Sequence, residues 1–195
     1  IFCVGAFFIW ISPIYADTRI NLIQTGLLVP TINDFFSPNS NLIKLAILIV
    51  LVFESFLIMK AISNIRPNEN IGSLAGLLYF LALIFDPHLF MSLNHRISGL
   101  CIGFALLELT RLQWIKKKSA AIFNISLWVA VSISFNNHNT PWIVYFLAAL
   151  FYLDGLSLRN GFIYLAGLGI IVYLEGSLMY LSNNWNQFIS MLGDM

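Results

Sequence analysis

Charged side chains are scarce in this chain: they make up 10 % of its 195 residues, against about 25 % in soluble domains. So few charges cannot cover a surface that faces water, and 59 % of the residues are hydrophobic. The excess apolar surface is therefore expected to face a lipid bilayer. A net charge of +1 carries no strong field, so no nucleic-acid partner is expected.

Cysteine is almost absent as well. Cys3 and Cys101 lie in apolar runs, and neither has the CxxC or Cys/His spacing of a zinc or redox motif. We therefore expect buried, inert thiols, with no metal and no other cofactor. No polar stretch is long enough for a separate soluble domain, so residues 1–195 are expected to form one transmembrane domain.

The chain is rich in apolar runs of helical length. About seven candidate spans predict an all-α polytopic transmembrane bundle, because continuous apolarity argues against the alternating pattern of a barrel. The runs lie at residues 1–15, 41–62, 71–85, 94–118, 119–135, 141–153 and 162–181. The first is shorter than the ~20 residues of a full span, so we expect its start to precede Ile1. Thr140 is predicted to be the N-cap of the sixth run, with Pro141 as its first residue.

Residues 20–37 have a different pattern, in which apolar residues are interleaved with polar ones such as Asn21 and Asp34. Pro30 interrupts the segment. The pattern favours one or two short amphipathic helices in the membrane interface on the outer surface. A loop packed against the bundle is the alternative.

The stretch 94–118 sets the orientation of the bundle. Its apolar part is followed by Arg111 and by Lys116, Lys117 and Lys118, and adjacent lysines stay on the cytoplasmic side. If successive spans alternate in direction, seven basic residues fall in connections on one side of the membrane and three in connections on the other. The larger set is Lys60, Arg66, Arg111, Lys116, Lys117, Lys118 and Arg159, and the smaller set is Arg19, Lys44 and Arg96. We therefore expect a bacterial inner-membrane protein with loop 116–118 in the cytoplasm and residues 136–139 outside.

Two carboxyl groups interrupt the apolar runs: Glu54 near the middle of one run, and Glu175 inside the last. A charge at mid-membrane costs about 2.5–3.5 kcal/mol even on the lenient insertion scale. Glu54 is therefore predicted to face protein and to find a polar partner outside its own helix. Each carboxyl is either functional, as a proton site or subunit contact, or a satisfied structural group. Glu108 precedes Arg111 by three residues, which predicts a local helix pair.

Three histidines are expected on the outer side, together with Asp86, and they are the only imidazoles in the sequence: His88, His95 and His138. No two of them have the i, i+4 spacing of a helical metal site, so we do not predict one. Asp17 follows the first run on the same side. Its carboxylate is suited to act as general base for a glycosyl acceptor, although a surface pair with Arg19 explains it equally.

Residues 76–81, 86–89 and 105–112 belong to an apolar span that ends at a proline and to a following span that ends in basic residues. Residues 116–118 and 123–128 continue this stretch, and residues 158–162 form a short turn between the later spans. Together they resemble, over about residues 42–181, an uncharacterised family of multi-pass inner-membrane proteins of Bacteroidota. That family ends its fourth span with paired arginines, where this chain has Thr110-Arg111. The resemblance implies a membrane topology and no particular activity.

The order of parts also resembles membrane glycosyltransferases that use polyprenyl-phosphate-linked sugars. Those proteins have a first span, an outer loop with an acidic residue, interfacial helices and then a bundle. Asp17 and residues 20–37 occupy the corresponding places here. The chain lacks the further acidic residues and the soluble lobe of those enzymes.

Topology explains nearly all of the charged residues, and this favours a non-catalytic structural or accessory subunit of a membrane protein complex. Its partners would be the bilayer and other membrane subunits. A glycosyltransferase-like protein with Asp17 as base is the alternative. A transporter is third, with Glu54, Glu175 and the span-breaking Asp86-Pro87 lining a path.

Overall fold

Helices account for all the regular structure in the described part of the chain. A computed structural model describes residues 40–65, 71–85, 93–115, 118–154 and 157–181, which contain no strand. The helices are α1 (Ser40–Ile65), α2 (Ile71–Phe85), α3 (Leu93–Arg111), α4 (Lys118–Phe135), a 3₁₀ turn (Asn137–Asn139), α5 (Pro141–Asp154) and α6 (Leu158–Leu181). The all-α prediction is confirmed for these residues.

Three of the described helices are long and apolar enough to span a membrane: Leu45–Ile65 within α1, then α4 and α6. Helix α2 contains a shorter apolar segment, Ile71–Leu83. The predicted count of seven spans is not confirmed, because α3 carries polar residues in its first and last turns and α5 has 14 residues. The first run, Asp17, segment 20–37, Lys116 and Lys117 lie outside the described residues.

Contacts between side chains give the helix directions. Helix α1 packs against α2 and α3, α3 packs against α4, and α4 packs against α6. Helices α1 and α3 are parallel, since their C-terminal ends meet where Asn64 Nδ2 donates to Thr110 Oγ1 at 3.3 Å. Trp114 Nε1 also donates to the carbonyl of Asn64 at 3.3 Å. Helices α2 and α4 run opposite to these two, so the last turns of α1 and α3 lie at one end of the bundle.

Glycines spaced four residues apart bring α2 and α3 close to α1. The pairs are Gly72 with Gly76 on α2, and Gly99 with Gly103 on α3. A Cβ built at Gly76 would lie 2.9 Å from the carbonyl oxygen of Ser55, and one at Gly103 would lie 3.1 Å from a methyl of Leu57. This spacing lets helix backbones approach closely inside a membrane. Helix α1 is therefore held on two sides by glycine-bearing faces.

Three apolar clusters fill the described part of the bundle, and the smallest joins α1 and α3 around Leu57. The other two are larger. One joins α1, α2 and α3 around the buried side chains of Leu51 and Phe80. The larger one joins α3, α4, α5 and α6 around Ile125, Phe146 and Tyr164. The exterior is also apolar: α5 and α6 expose large side chains that include Val144, Phe151, Phe162 and Tyr173. Such an exterior suits a bilayer.

The start of α5 differs from the prediction. Thr140 is not an N-cap, because its backbone is helical (φ −50°, ψ −38°) and its hydroxyl donates to the carbonyl of Asn137 at 2.7 Å. The capping residue is Asn136, which is extended (φ −154°, ψ 106°) and accepts a hydrogen bond from the His138 N–H. Asn136 therefore caps the 3₁₀ turn, and this turn leads directly into α5. Pro141 is the first residue of α5, as predicted.

Candidate functional site

Glu54 of α1 forms a buried ion pair with Arg96 of α3. Arg96 Nη1 lies 3.5 Å from Glu54 Oε2, and the side chains are 4 % and 2 % exposed. The hydroxyl of Tyr79, on α2, donates to the same oxygen at 3.4 Å. The packing predicted for Glu54 is therefore confirmed: the side chain faces protein and has partners on two other helices.

The carboxylate of Glu54 is only half satisfied by these partners. Both contacts are at the long end of the hydrogen-bond range and both converge on Oε2. Among the described residues, no hydrogen-bond partner reaches Oε1, which is buried. Oε1 lies beside Gly99, since a Cβ built on that glycine would be 2.5 Å from it. A buried acceptor without a donor is costly, so Oε1 lowers the stability of the folded bundle.

A cavity of about 240 Å³ adjoins the ion pair, between α1, α2, α3 and the start of α5. Its polar lining consists of Glu54, Tyr79, His95, Arg96 and Asn139. The rest of the lining is mainly apolar and includes the indole of Trp142. Charged and hydrogen-bonding groups therefore lie together against apolar walls, as in most small-molecule sites.

A second set of hydrogen bonds fixes the wall formed by the connection between α4 and α5. Ser98 Oγ and Ser132 Oγ are 3.0 Å apart, and Asn139 Nδ2 donates to both hydroxyls. His95 Nδ1 lies 2.9 Å from Asn136 Nδ2. These contacts tie α3 to the residues around the 3₁₀ turn. They hold Asn139 at the edge of the cavity.

Helix directions place the site away from most of the described basic residues. Arg96 lies in the first turn of α3, and Asn136 directly follows α4. Lys60, in the C-terminal part of α1, lies at the opposite end with Arg111 and Lys118. The predicted local pair is confirmed there, with Arg111 Nη1 3.3 Å from Glu108 Oε1.

Glu175 does not belong to this site. It lies on α6, which packs against α4, and it does not line the cavity. Its Oε1 is buried, and no described residue donates a hydrogen bond to it. The two intramembrane carboxyls are therefore in different surroundings, and they do not line one common cavity.

The remaining candidate groups do not assemble in the described part of the chain. No three His, Cys, Asp or Glu side chains lie close enough together there to hold a metal ion. His95 and His138 are described, whereas Asp86 and His88 are not. Cys101 is a buried free thiol, as expected from its apolar surroundings.

Sequence reasoning missed Arg96 and Tyr79 as partners of Glu54, because it assigned Arg96 to the outer connections. Two signals were present. Arg96 adjoins an apolar run, where an ionisable residue needs a partner. The spacing of Gly99 and Gly103 marks a face of close helix packing.

Comparisons with known proteins find no counterpart: no family model matches the chain, and no curated protein or solved structure matches it either.

Proposed function

We propose that the protein is a membrane enzyme that transfers a sugar from a polyprenyl-phosphate-linked donor, whose headgroup binds in the cavity beside Glu54 and Arg96. The cavity is the observation that carries the proposal. Charged and hydrogen-bonding side chains line it, within a bundle whose exterior is apolar. A ligand with a polar head and a long apolar tail complements both surfaces at once.

Each polar group suits one part of such a headgroup. The guanidinium of Arg96 presents planar donors that match phosphate oxygens. Tyr79, His95 and Asn139 carry the mixed donors and acceptors that sugar hydroxyls require. At about 240 Å³, the cavity is smaller than the ~300–1,000 Å³ typical of sites for drug-sized ligands. It therefore suits a headgroup, with the tail left among the helices or in lipid.

Two resemblances support the proposal. The layout of the chain is similar to that of polyprenyl-phosphate-dependent glycosyltransferases, in which Asp17 would be the acidic residue of the outer loop. Asp17 lies outside the described residues and stays a candidate base. We also propose that the chain belongs to the Bacteroidota family of inner-membrane proteins that its later segments resemble.

The proposal includes an inner-membrane location with the loop 116–118 in the cytoplasm. Lys60, Arg111 and Lys118 lie at one end of the bundle. Basic residues tend to stay on the cytoplasmic side, so this end is proposed to face the cytoplasm. This orientation puts the cavity toward the outer side of the membrane.

A transfer assay tests the proposal. The full chain would be reconstituted in nanodiscs of phosphatidylethanolamine and phosphatidylglycerol. It would be given polyprenyl-phosphate- and diphosphate-linked hexoses with a radiolabelled sugar, and unlabelled lipid-linked sugar as acceptor. We expect label in a new product from at least one donor, and a one-to-one donor complex by native mass spectrometry. If folded protein binds none of the donors and transfers no label, the proposal is wrong.

A non-catalytic subunit of a membrane complex is the second candidate, and Glu175 favours it. One oxygen of this carboxyl is buried without a donor among the described residues, on a helix that exposes most of its large apolar side chains. A partner helix packed on the exposed apolar face of α6, beside Glu175, is the contact expected for such a subunit. Copurification from the native membrane in mild detergent should then recover a stoichiometric partner that Glu175→Leu loses and Ser177→Ala keeps. A chain that purifies alone and transfers sugar would refute this alternative.

A further inference from the structure

We propose that the end of the bundle that carries Lys60 binds an anionic phospholipid. The headgroup lies beside Lys60 and Arg111, and an acyl chain follows the groove between α1 and α3. This site is at the opposite end of the bundle from the cavity beside Glu54. It depends neither on the sugar transfer proposed above nor on which end of the bundle faces the cytoplasm.

Lys60 is a cation inside an apolar span. It lies five residues before the end of the span Leu45–Ile65, which puts its Cα about 7–8 Å inside that end at the usual rise of a helix. Its side chain is exposed, and no carboxylate in the described part of the chain forms an ion pair with it. A lysine in this position extends its ammonium group toward the headgroups, whose phosphates supply the counter-charge.

Trp114 indicates the level of the membrane surface next to Lys60. Its side chain is 68 % exposed, and Nε1 donates to the carbonyl oxygen of Asn64 at 3.3 Å. Asn64 follows Lys60 by four residues, so the two lie on one side of α1, one turn apart. Tryptophan is enriched at the boundary between hydrocarbon and headgroups. The headgroup layer therefore lies about one helix turn beyond the Cα of Lys60, within reach of its side chain.

Arg111 adds a second cation at the same end. It directly follows Thr110, whose hydroxyl accepts a hydrogen bond from Asn64 of α1, and its side chain is 46 % exposed. Its Nη1 lies 3.3 Å from Glu108 Oε1, so two cations and one carboxylate leave a net charge of +1 here. A phosphodiester carries one negative charge and balances it. A zwitterionic headgroup brings a further ammonium group, so the site favours an anionic lipid.

An apolar surface for the acyl chain adjoins these cations. A small buried cluster around Leu57 joins α1 to α3, and Leu100 and Phe104 pack against it while they stay partly exposed. Leu57 precedes Lys60 by three residues, and Phe104 precedes Arg111 by seven. The apolar and cationic side chains therefore lie on the same faces of their helices. A lipid whose phosphate binds the cations can lay an acyl chain along Leu100 and Phe104.

Lipid titration followed by native mass spectrometry tests the site. The full chain in a non-ionic detergent would be titrated with phosphatidylglycerol, with phosphatidylethanolamine of the same acyl chains, and with glycerol 3-phosphate. We expect one phosphatidylglycerol to bind at least fivefold more tightly than phosphatidylethanolamine. Glycerol 3-phosphate should show no saturable binding, because it lacks the acyl chains that the groove binds.

A variant without the ammonium group locates the binding. Lys60→Gln should raise the Kd of phosphatidylglycerol about fivefold, which corresponds to the ~1 kcal/mol of one basic residue at a membrane surface. Lys60→Arg keeps the charge and should stay within twofold of the wild type. Arg159→Gln is the matched control, because it removes an exposed cation from the first turn of α6, a helix that packs against α4. Thermal unfolding midpoints would check that all variants are folded.

Three results would overturn the proposal. The first is a wild-type Kd for phosphatidylglycerol in folded Lys60→Gln, or an equal loss in Arg159→Gln. The second is equal affinity of the wild type for the two phospholipids. The third is saturable binding of glycerol 3-phosphate that Lys60→Gln loses, which would assign the site to a free phosphate compound. Sugar transfer is measured on other substrates, so a failure of the transfer function leaves these outcomes unchanged.

Discussion

The buried pair of Glu54 and Arg96 is the most demanding feature at the scale of single residues. Each side chain is almost fully enclosed, and either charge alone would be strongly unfavourable inside an apolar bundle. Tyr79 adds a hydrogen bond that holds the carboxylate toward α2. The stability of the site therefore depends on these side chains being present together.

Removing only the cation should show this dependence. Arg96→Leu leaves the Glu54 carboxylate buried without its counter-charge, and we expect a loss of about 3–5 kcal/mol in the free energy of unfolding. The double variant Glu54→Leu with Arg96→Leu should recover much of that loss, because it buries no charge. Unfolding of the wild type, Glu54→Leu, Arg96→Leu and the double variant by SDS titration in mixed micelles gives the double-mutant cycle. A double variant no more stable than Arg96→Leu would contradict the pairing.

Hydrogen bonding at position 54 should matter separately from charge. Glu54→Gln keeps an acceptor for Tyr79 and Arg96, whereas Glu54→Leu leaves both donors without one. We therefore expect the thermal unfolding midpoint of the leucine variant to lie below that of the glutamine variant in the same detergent. Equal midpoints would mean that these contacts contribute nothing to stability.

At the scale of the elements, glycines determine how closely the helices approach. Gly167 of α6 is buried against α4, where a Cβ would meet the side chain of Ser126 and lie 3.2 Å from the carbonyl oxygen of Phe123. Gly169, two residues later, faces open space. The two positions are a matched pair on one helix.

Alanine at these two positions should have opposite consequences. Gly167→Ala should cost roughly 1–3 kcal/mol through overpacking of the contact between α4 and α6. Gly169→Ala should be neutral or stabilising by up to about 1 kcal/mol, because alanine favours a helix over glycine. Chemical unfolding in detergent would compare them. Similar losses at both positions would show that α6 does not pack on α4 through Gly167.

Helix boundaries were predictable where an apolar run ends at polar residues. The run 71–85 was predicted with the limits that α2 has, because polar residues bound it on both sides. The cap before α5 was not predicted correctly, because Thr140 and Pro141 form a good local start signal for a helix. Asn136 instead caps the 3₁₀ turn that precedes α5, and its Nδ2 also lies 2.9 Å from His95 Nδ1 of α3. The local signal at Thr140 does not reveal this turn.

At the scale of the whole molecule, the burial of Glu54 was predictable and the site was not. Burial follows from the cost of placing a carboxylate in lipid, which is local to one helix. The identity of its partner depends on the register between α1 and α3, which are separated along the chain by α2. Composition and spacing do not encode that register, apart from the glycine spacing at 99 and 103.

The orientation of the bundle can be read from its two ends. In a background with Cys3→Ser and Cys101→Ala, we expect His138→Cys to react with a membrane-impermeant maleimide in intact cells. Gln113→Cys, beside Arg111, should react only after permeabilisation, since basic residues stay in the cytoplasm. Both positions are exposed, so a lack of labelling would not reflect burial. The reverse pattern would invert the proposed topology.

The parallel arrangement of α1 and α3 has a consequence for biosynthesis. Arg96 is made 42 residues after Glu54, which corresponds to about 2–8 s at the usual rate of ~5–20 residues per second. During those seconds α1 carries its carboxyl group toward the membrane without the arginine that later neutralises it. We therefore expect α1 and α2 to stay beside the insertion machinery until α3 has been made. The three helices would then enter the lipid together.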